Sequence, residues 1–97
     1  MRKYRIHSDY SYSELHGEGM MVNIRTSSCF KLNRIGALML KQILHSADDE
    51  MAVTNLSKEI DATKDQLMIH YLQFRDELLK NGFIEEMEEK NEENPVG

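Results

Sequence analysis

The sequence predicts an α+β fold in which a three-stranded antiparallel sheet is followed by three helices. In the first third of the chain, apolar and polar side chains alternate with a period of two, and turn-forming residues interrupt the alternation twice. From Asn33 onward, apolar residues recur every three or four positions, which is the period of an α-helix. With 97 residues, the chain has the length of one domain with a core of moderate size.

Three short strands account for the alternating region. The first lies in YRIHSDYSYSEL, where tyrosines alternate with serines, and the HGEG segment after it is typical of a hairpin turn. The second is MMVNIR, and a turn at residues 26–28 separates it from the third, CFKL. These strands are expected to form an antiparallel meander in which CFKL is an outer strand. Phe30 and Leu32 should face the core, while Cys29 and Lys31 should point outward or toward a groove.

The first helix is expected to begin directly after the third strand. Asn33 is a preferred N-cap residue because its side chain can accept a hydrogen bond from a backbone amide of the first turn. A broad apolar face then continues to about Ser46, which indicates a largely buried helix. Because only Asn33 separates strand from helix, CFKL is expected to be a rigid edge.

Two further helices are expected beyond the polar segment SADDEM. The first lies in VTNLSKEI, with Thr54 as its candidate N-cap residue. The second begins at Thr63, which has the spacing of a capping box with Gln66, and it runs to about Asn81. Gly82 is the expected stop, because glycine readily adopts the left-handed conformation that ends many helices. FIEEM then returns to an extended segment.

Charge is unevenly distributed along the chain. The net charge is −5, but six glutamates and one lysine lie from Glu85 onward, so the remainder is close to neutral. We expect one domain at residues 1–86 and an acidic, disordered tail at residues 87–97. The N-terminal segment lacks the apolar stretch of a secretory signal, so a cytoplasmic location is expected. The acidity disfavours nucleic acid as a partner, since affinity for phosphates comes largely from lysine and arginine.

No residue pattern indicates catalysis, a cofactor or a metal site. Cys29 is the single cysteine and is expected to act as a small hydrophobic side chain. No two of the histidines at positions 7, 16, 45 and 70 have the spacing of helical metal ligands. Neither a phosphate-binding glycine loop nor a serine nucleophile motif is present. No apolar run approaches the roughly 20 residues that cross a bilayer. The chain is therefore expected to bind a partner in solution, and not to be an enzyme.

Two motifs resemble a known family. FKLNRIGALMLKQIL has an aromatic residue, a spacer and Leu-Asn before a helix that starts with small residues. LMIHYLQFRDELLKNGFI has the apolar and aromatic spacing of the family's closing helix, followed by glycine and two apolar residues. Together with VTNLSKEIDATKDQL between them, they resemble the PqqD family, named for pyrroloquinoline quinone synthesis protein D. Its winged-helix-like fold is also called the precursor-peptide recognition element of ribosomal peptide natural-product pathways.

The resemblance covers about residues 10–86 and implies peptide binding. Members of this family hold the leader segment of a ribosomally made precursor peptide as an added strand along the third strand, in a groove against the third helix. They thereby present the rest of the peptide to a modifying enzyme, such as a radical SAM maturase or a lasso-type peptidase. The candidate peptide-binding residues are Ser27, Ser28, Cys29, Phe30, Lys31, Leu32, Met68, His70, Leu72 and Arg75.

The flank of the third helix that lines the groove is the least determined part of the site. His70 and Arg75 stand where the family commonly has Asp and Leu. Met68, Leu72 and Arg75 share one flank, on which methionine would adapt to apolar leader residues and arginine would pair with an acidic one. The alternative is that this flank packs on the first helix. The expected core stripe of the helix is Leu67, Tyr71, Phe74 and Leu78.

Two other functions fit part of the sequence. A winged-helix DNA-binding regulator would have the same order of helices, but here the third helix carries Asp65, Asp76 and Glu77 where contacts to phosphates and bases favour basic and amide side chains. A protein-interaction adaptor with no role in peptide maturation is not distinguished by sequence. The sequence also leaves open which precursor peptide is bound and whether a homodimer forms through the exposed strand.

Overall fold

The computed structural model describes residues 3–87, which form two antiparallel sheets and three helices. The elements in chain order are β1 (Lys3–Ile6), β2 (Tyr10–Leu15), β3 (Glu18–Asn23), β4 (Cys29–Leu32), α1 (Arg34–His45), α2 (Asp49–Ser57), α3 (Lys64–Lys80) and β5 (Ile84–Met87). The predicted α+β class, the three-stranded meander and the three helices are confirmed. Within residues 3–87, no helix is both long enough and apolar enough to cross a bilayer.

The meander is the sheet β2–β3–β4, with β4 at one edge. Its register places Tyr12 opposite Met21 and Met21 opposite Phe30, so these side chains share one face of the sheet. Ser27 and Ser28 lie before β4, in the turn that joins it to β3. Ser27 adopts the left-handed conformation with φ of 65°.

A second sheet, which was not predicted from the sequence, joins the two ends of the described chain. β1 pairs antiparallel with β5, and Ile6 lies opposite Ile84. The side chain of Arg5 donates a hydrogen bond of 2.6 Å to the carboxylate of Glu85. The extended segment predicted in FIEEM is confirmed, and Met87, which we expected in the tail, is the last residue of β5. The rest of the predicted tail, residues 88–97, lies outside the described residues.

Local capping signals fix the ends of α1 and α3 as predicted. The Asn33 side chain accepts a hydrogen bond of 2.8 Å from the backbone N–H of Gly36. Thr63 and Gln66 form the reciprocal capping box at the start of α3. Gly82 follows α3 with a φ of 76°, a conformation that a side chain with a Cβ atom rarely adopts.

The prediction of Thr54 as the N-cap residue of α2 is wrong, because the helix begins at Asp49 and its N-cap lies six residues before Thr54. Asp48 is the N-cap residue, and its side chain accepts a hydrogen bond of 2.8 Å from the backbone N–H of Met51. Asp49 and Glu50 occupy the first turn, where negative charge is favoured by the helix dipole. The last three residues of the polar segment SADDEM therefore belong to the first turn of α2.

The core lies between the inner face of the meander and the three helices. Its largest fully buried side chains come from four different elements, and they are Met21, Leu40, Leu56 and Ile84. On α3, Leu67, Tyr71 and Leu78 are buried and Phe74 is half-buried against this core, so the predicted core stripe is confirmed.

Arg75 joins α3 to α2 and to β1. Its two terminal nitrogens lie 2.6 Å and 3.3 Å from the two carboxylate oxygens of Asp49. The guanidinium carbon lies 5.1 Å from the centre of the Tyr4 ring and 5.6 Å from that of Tyr71, both within the range of cation–π attraction. These contacts leave the Arg75 side chain only 15% exposed. Arg75 is therefore held by the fold itself.

The environment of Tyr71 predicts a loss of stability in alkaline solution. Burial, reinforced by the Asp49 carboxylate, raises the pKa of the Tyr71 phenol from 10.0 to about 12. The unfolded chain loses this proton near pH 10 while the folded chain keeps it, so the free energy of unfolding should fall between about pH 10 and pH 12, by about 2 kcal/mol at most. Tyr71→Phe should remove this part of the fall. Urea unfolding of both proteins at about pH 9 and pH 11 measures it, and equal losses in both would contradict the prediction.

Candidate functional site

β4 offers an open backbone edge, because it is paired only with β3 among the described residues. The backbone N–H of Asn23 donates to the carbonyl oxygen of Ser28 at 2.8 Å. In an antiparallel pair, residues that exchange hydrogen bonds alternate with residues that do not. Because Ser28 is hydrogen-bonded to β3, Phe30, two residues later, also directs its N–H and C=O toward β3. The N–H and C=O groups of Cys29 and Lys31 therefore point to the open edge.

The side chains of β4 alternate between the two faces of the sheet. Phe30 and Leu32 face the helices, as expected, but Phe30 is 42% exposed because it lies at the mouth of a cavity. Cys29 and Lys31 are exposed on the other face. The outward direction expected for Cys29 and Lys31 is therefore confirmed, but the thiol of Cys29 is exposed, so the expectation that it acts as a small hydrophobic side chain is wrong.

An apolar cavity of about 190 Å³ lies between the meander and the end of α3. The aromatic rings at its end form a cluster, in which the ring centres of Phe30 and Phe83 are 5.0 Å apart and those of Tyr10 and Phe83 are 4.9 Å apart. Such packing fixes the rings in place. The cavity is lined by Met21, Phe30, Leu32, Phe74, Glu77, Leu78, Asn81 and Phe83.

A second, more open cavity of about 360 Å³ continues from the first along α3. It lies between α3 and the start of α1, and it shares Phe74 and Glu77 with the first cavity. We name the two together the β4–α3 groove. The second cavity is lined by Asn33, Ile35, Gly36, Met39, His70, Gln73, Phe74 and Glu77.

The structure divides the predicted site residues between two regions. Phe30, Leu32 and His70 line the β4–α3 groove, and Cys29 and Lys31 supply its open backbone edge. Ser27 and Ser28 lie in the turn before β4, where hydrogen bonds with Asn23 hold their backbone. The strand itself is Cys29–Leu32.

Met68, Leu72 and Arg75 are not among the residues that line this groove. Met68 packs against the core, Leu72 is 37% exposed, and Arg75 is paired with Asp49. The reason is the helical period: from Phe74, a turn of about 100° per residue carries these three to one flank and His70 and Glu77 to the other. The predicted pairing of Arg75 with an acidic leader residue stays a prediction, and the partner of Arg75 in this structure is Asp49.

A pattern in the sequence marks the flank of α3 that lines the groove, but the prediction from sequence did not use it. His70, Phe74, Glu77 and Asn81 are spaced four, three and four apart, and they form a continuous stripe beside the core stripe. Most of this stripe is polar, so it resembles a solvated face. Within the described residues, no three His, Cys, Asp or Glu side chains are grouped in a way that could hold a metal ion.

Two solved structures share this fold. One is titled "TbiB1 in Complex with the TbiA(beta) Leader Peptide" and has a TM-score of 0.73 and 14% sequence identity, covering 88% of this chain and 99% of that chain. The other is titled "Lasso peptide synthetase B1 complexed with the leader peptide" and has a TM-score of 0.75 and 16% identity, covering 86% of this chain and 98% of that chain. Among curated proteins, no sequence matches this chain significantly.

The sequence itself matches a family model. The model is described as coenzyme PQQ synthesis protein D (PqqD), and the match covers residues 18–84. This range runs from the start of β3 to the first residue of β5, and it includes β4, all three helices and every residue named above as lining the β4–α3 groove. Because the match covers more than half of the chain, the chain belongs to the PqqD family.

Proposed function

We propose that this chain binds the leader segment of a ribosomally made precursor peptide and presents the rest of that peptide to a modifying enzyme. The leader adds as a strand along β4 and lies over the β4–α3 groove. The observation that carries this proposal is the open backbone edge at Cys29 and Lys31 directly beside an apolar cavity. Backbone pairing gives affinity that depends little on sequence, and side-chain pockets add selectivity. Membership of the PqqD family and the two leader-peptide complexes of the same fold support it.

The length of β4 limits how the leader pairs. β4 has four residues, and two of them direct backbone groups to the open edge. An extended peptide places every second side chain on the same face, roughly 6.6 Å apart. Two leader side chains therefore enter the cavity beside β4. The second cavity, beside α1, accepts the next leader side chain on the same face.

The edge is preorganised for this pairing. α1 begins one residue after β4, and the Asn33 cap fixes that junction. On the far side, the Phe30 ring packs against Phe83. A strand held at both ends loses little conformational entropy on binding, which favours affinity.

The modifying enzyme we propose is a maturase of the radical SAM class or a lasso-type peptidase, and the second is favoured by the lasso peptide synthetase component of similar fold. A homodimer formed by pairing of two β4 edges would use the same backbone groups as the leader. The free dimer and the bound leader would therefore be mutually exclusive.

DNA binding, the competing function, is disfavoured by the cations of α3. Arg75 is occupied by Asp49, and Lys80 lies 3.1 Å from the carboxylate of Asp76. Glu77 lines the groove beside them. Of the three cations of α3, Lys64, Arg75 and Lys80, two are thus paired with carboxylates, so the helix has little positive charge to offer phosphates.

The direct test is titration of the full chain with a fluorescent synthetic leader, taken from a short reading frame adjacent to its gene, and with duplex DNA at moderate salt. We expect saturable binding of the leader only. Alkylation of Cys29 gives the position of binding, because this exposed thiol is the single cysteine and lies on the proposed edge. Bound leader should slow the alkylation. Binding of DNA without binding of leader would overturn the proposal.

A matched pair of substitutions tests which flank of α3 the leader contacts. Ile35 and Leu72 are aliphatic side chains of similar exposure, 44% and 37%, but only Ile35 lines the groove. Ile35→Ser should weaken leader binding about fivefold, since about 1 kcal/mol of apolar contact is lost. Leu72→Ser should change it less than about twofold. Anisotropy titrations measure both, and the reverse order would return the site to the Leu72 flank.

A further inference from the structure

The β4–α3 groove is divided into an apolar and a polar half. The apolar half is closed by Phe30 and Phe83, and the polar half contains Asn33, His70 and Gln73. Glu77 lies at the boundary, because it lines both cavities.

Among the described residues, Glu77 is the only acidic side chain that lines either cavity. Its side chain has no ion-pair or hydrogen-bond partner among the residues of the described chain. By contrast, the adjacent residue Asp76 is paired with Lys80. The groove therefore contains one carboxylate that no cation of residues 3–87 balances.

A peptide that covers the groove removes water from this carboxylate. An ionised carboxylate that loses water without gaining a cation costs free energy, whereas a cation at hydrogen-bond distance offsets that cost. Complementary charge of this kind determines which partners a surface accepts. The groove should therefore discriminate among leaders by the charge of the side chain that reaches Glu77.

We propose that Glu77 selects leader peptides carrying lysine or arginine two residues from the apolar side chain that fills the cavity beside Phe30. The two cavities are adjacent, since they share Phe74 and Glu77. Neighbouring side chains on one face of an extended peptide, at positions i and i+2, lie roughly 6.6 Å apart, so one would enter each cavity. The basic residue lies on the side of the apolar residue that is nearer to α1. This inference rests on the proposed function and specifies its substrate class.

Panning a phage-displayed library of random twelve-residue peptides on the full chain tests the proposal. We expect the selected peptides to share an apolar residue and a basic residue two positions apart. Glu77→Gln should remove the basic preference, and Glu77→Lys should replace it by an acidic one. The matched control is Asp61→Lys, which makes the same change of charge at an exposed position that does not line the groove, and it should select the same peptides as the wild type.

The strength of the contact is measured with one selected peptide and its lysine→glutamine counterpart. Loss of the lysine should weaken binding to the wild type about fivefold and leave binding to the Glu77→Gln variant within about twofold. Selected peptides that compete for β4 but show no basic preference would overturn the role of Glu77 while leaving peptide binding intact. Failure to select any peptide on any variant would overturn both the inference and the proposed function.

Discussion

Lys31→Pro should reduce leader binding at least about thirtyfold while leaving the chain folded. The Lys31 N–H points to the open edge of β4, so proline removes a donor that the leader needs but that β3 does not use. Losing this bond also leaves a leader carbonyl without a partner, and the two effects together cost on the order of 2 kcal/mol. Proline is tolerated on edge strands for the same reason. Titration with the fluorescent leader measures the loss.

Lys31→Ala is the matched control for this variant. It removes the exposed side chain but keeps the N–H, so leader binding should stay within about threefold of the wild type if the backbone carries the interaction. Thermal unfolding of both variants reports whether β4 is still in place. If a folded Lys31→Pro variant binds the leader as tightly as the wild type does, strand addition at β4 is excluded.

Leu40→Ala should lower the free energy of unfolding by about 2–5 kcal/mol. Leu40 has no exposed surface and lies on the inner face of α1. Removing the branched end of this side chain leaves a cavity in the core. The loss of stability is therefore larger than the transfer free energy of the lost methyl groups alone. For a domain of this size, the total stability is on the order of 5–15 kcal/mol, so a large fraction would be lost.

The neighbouring residue provides the control for Leu40→Ala. Lys41 is exposed on the same helix, and Lys41→Ala should change the free energy of unfolding by less than about 0.5 kcal/mol. Urea denaturation of the three proteins at neutral pH gives both values. A loss of less than about 1 kcal/mol for Leu40→Ala would show that α1 does not pack as the structure places it.

The parts of the fold that could be predicted are those with local signals. Asn33, Thr63 and Gly82 act on backbone groups only a few residues away, so their spacing alone locates the ends of α1 and α3. The start of α2 was misplaced because Asp48 and Thr54 both have the side chain of an N-cap residue. The choice between them depends on the burial of Ala52 and Val53, which precede Thr54.

The parts that could not be predicted depend on contacts between distant residues. β1 and β5 pair residues about 80 positions apart, as in Arg5 with Glu85. No hairpin turn joins the two strands, so the sequence has no local signal for their pairing. The flank of α3 that lines the groove is set by where β4 and α1 lie in space. Counting apolar residues favoured the flank of Met68 and Leu72, whereas the flank that faces β4 and α1 carries Glu77 and His70. The position of the groove therefore required the tertiary structure.

The separation of the two sheets has a consequence for how the chain opens. The pairing of β1 with β5 closes a loop of nearly the whole described chain, and closing so long a loop costs conformational entropy. Within the described residues, this two-stranded sheet is not hydrogen-bonded to the sheet β2–β3–β4. The meander is built from hairpins between neighbouring segments. Fraying of β1 and β5 can therefore occur as a local event with its own free energy. In a hydrogen-exchange experiment, the amide protons of β1 should exchange with solvent while those of β3 remain protected.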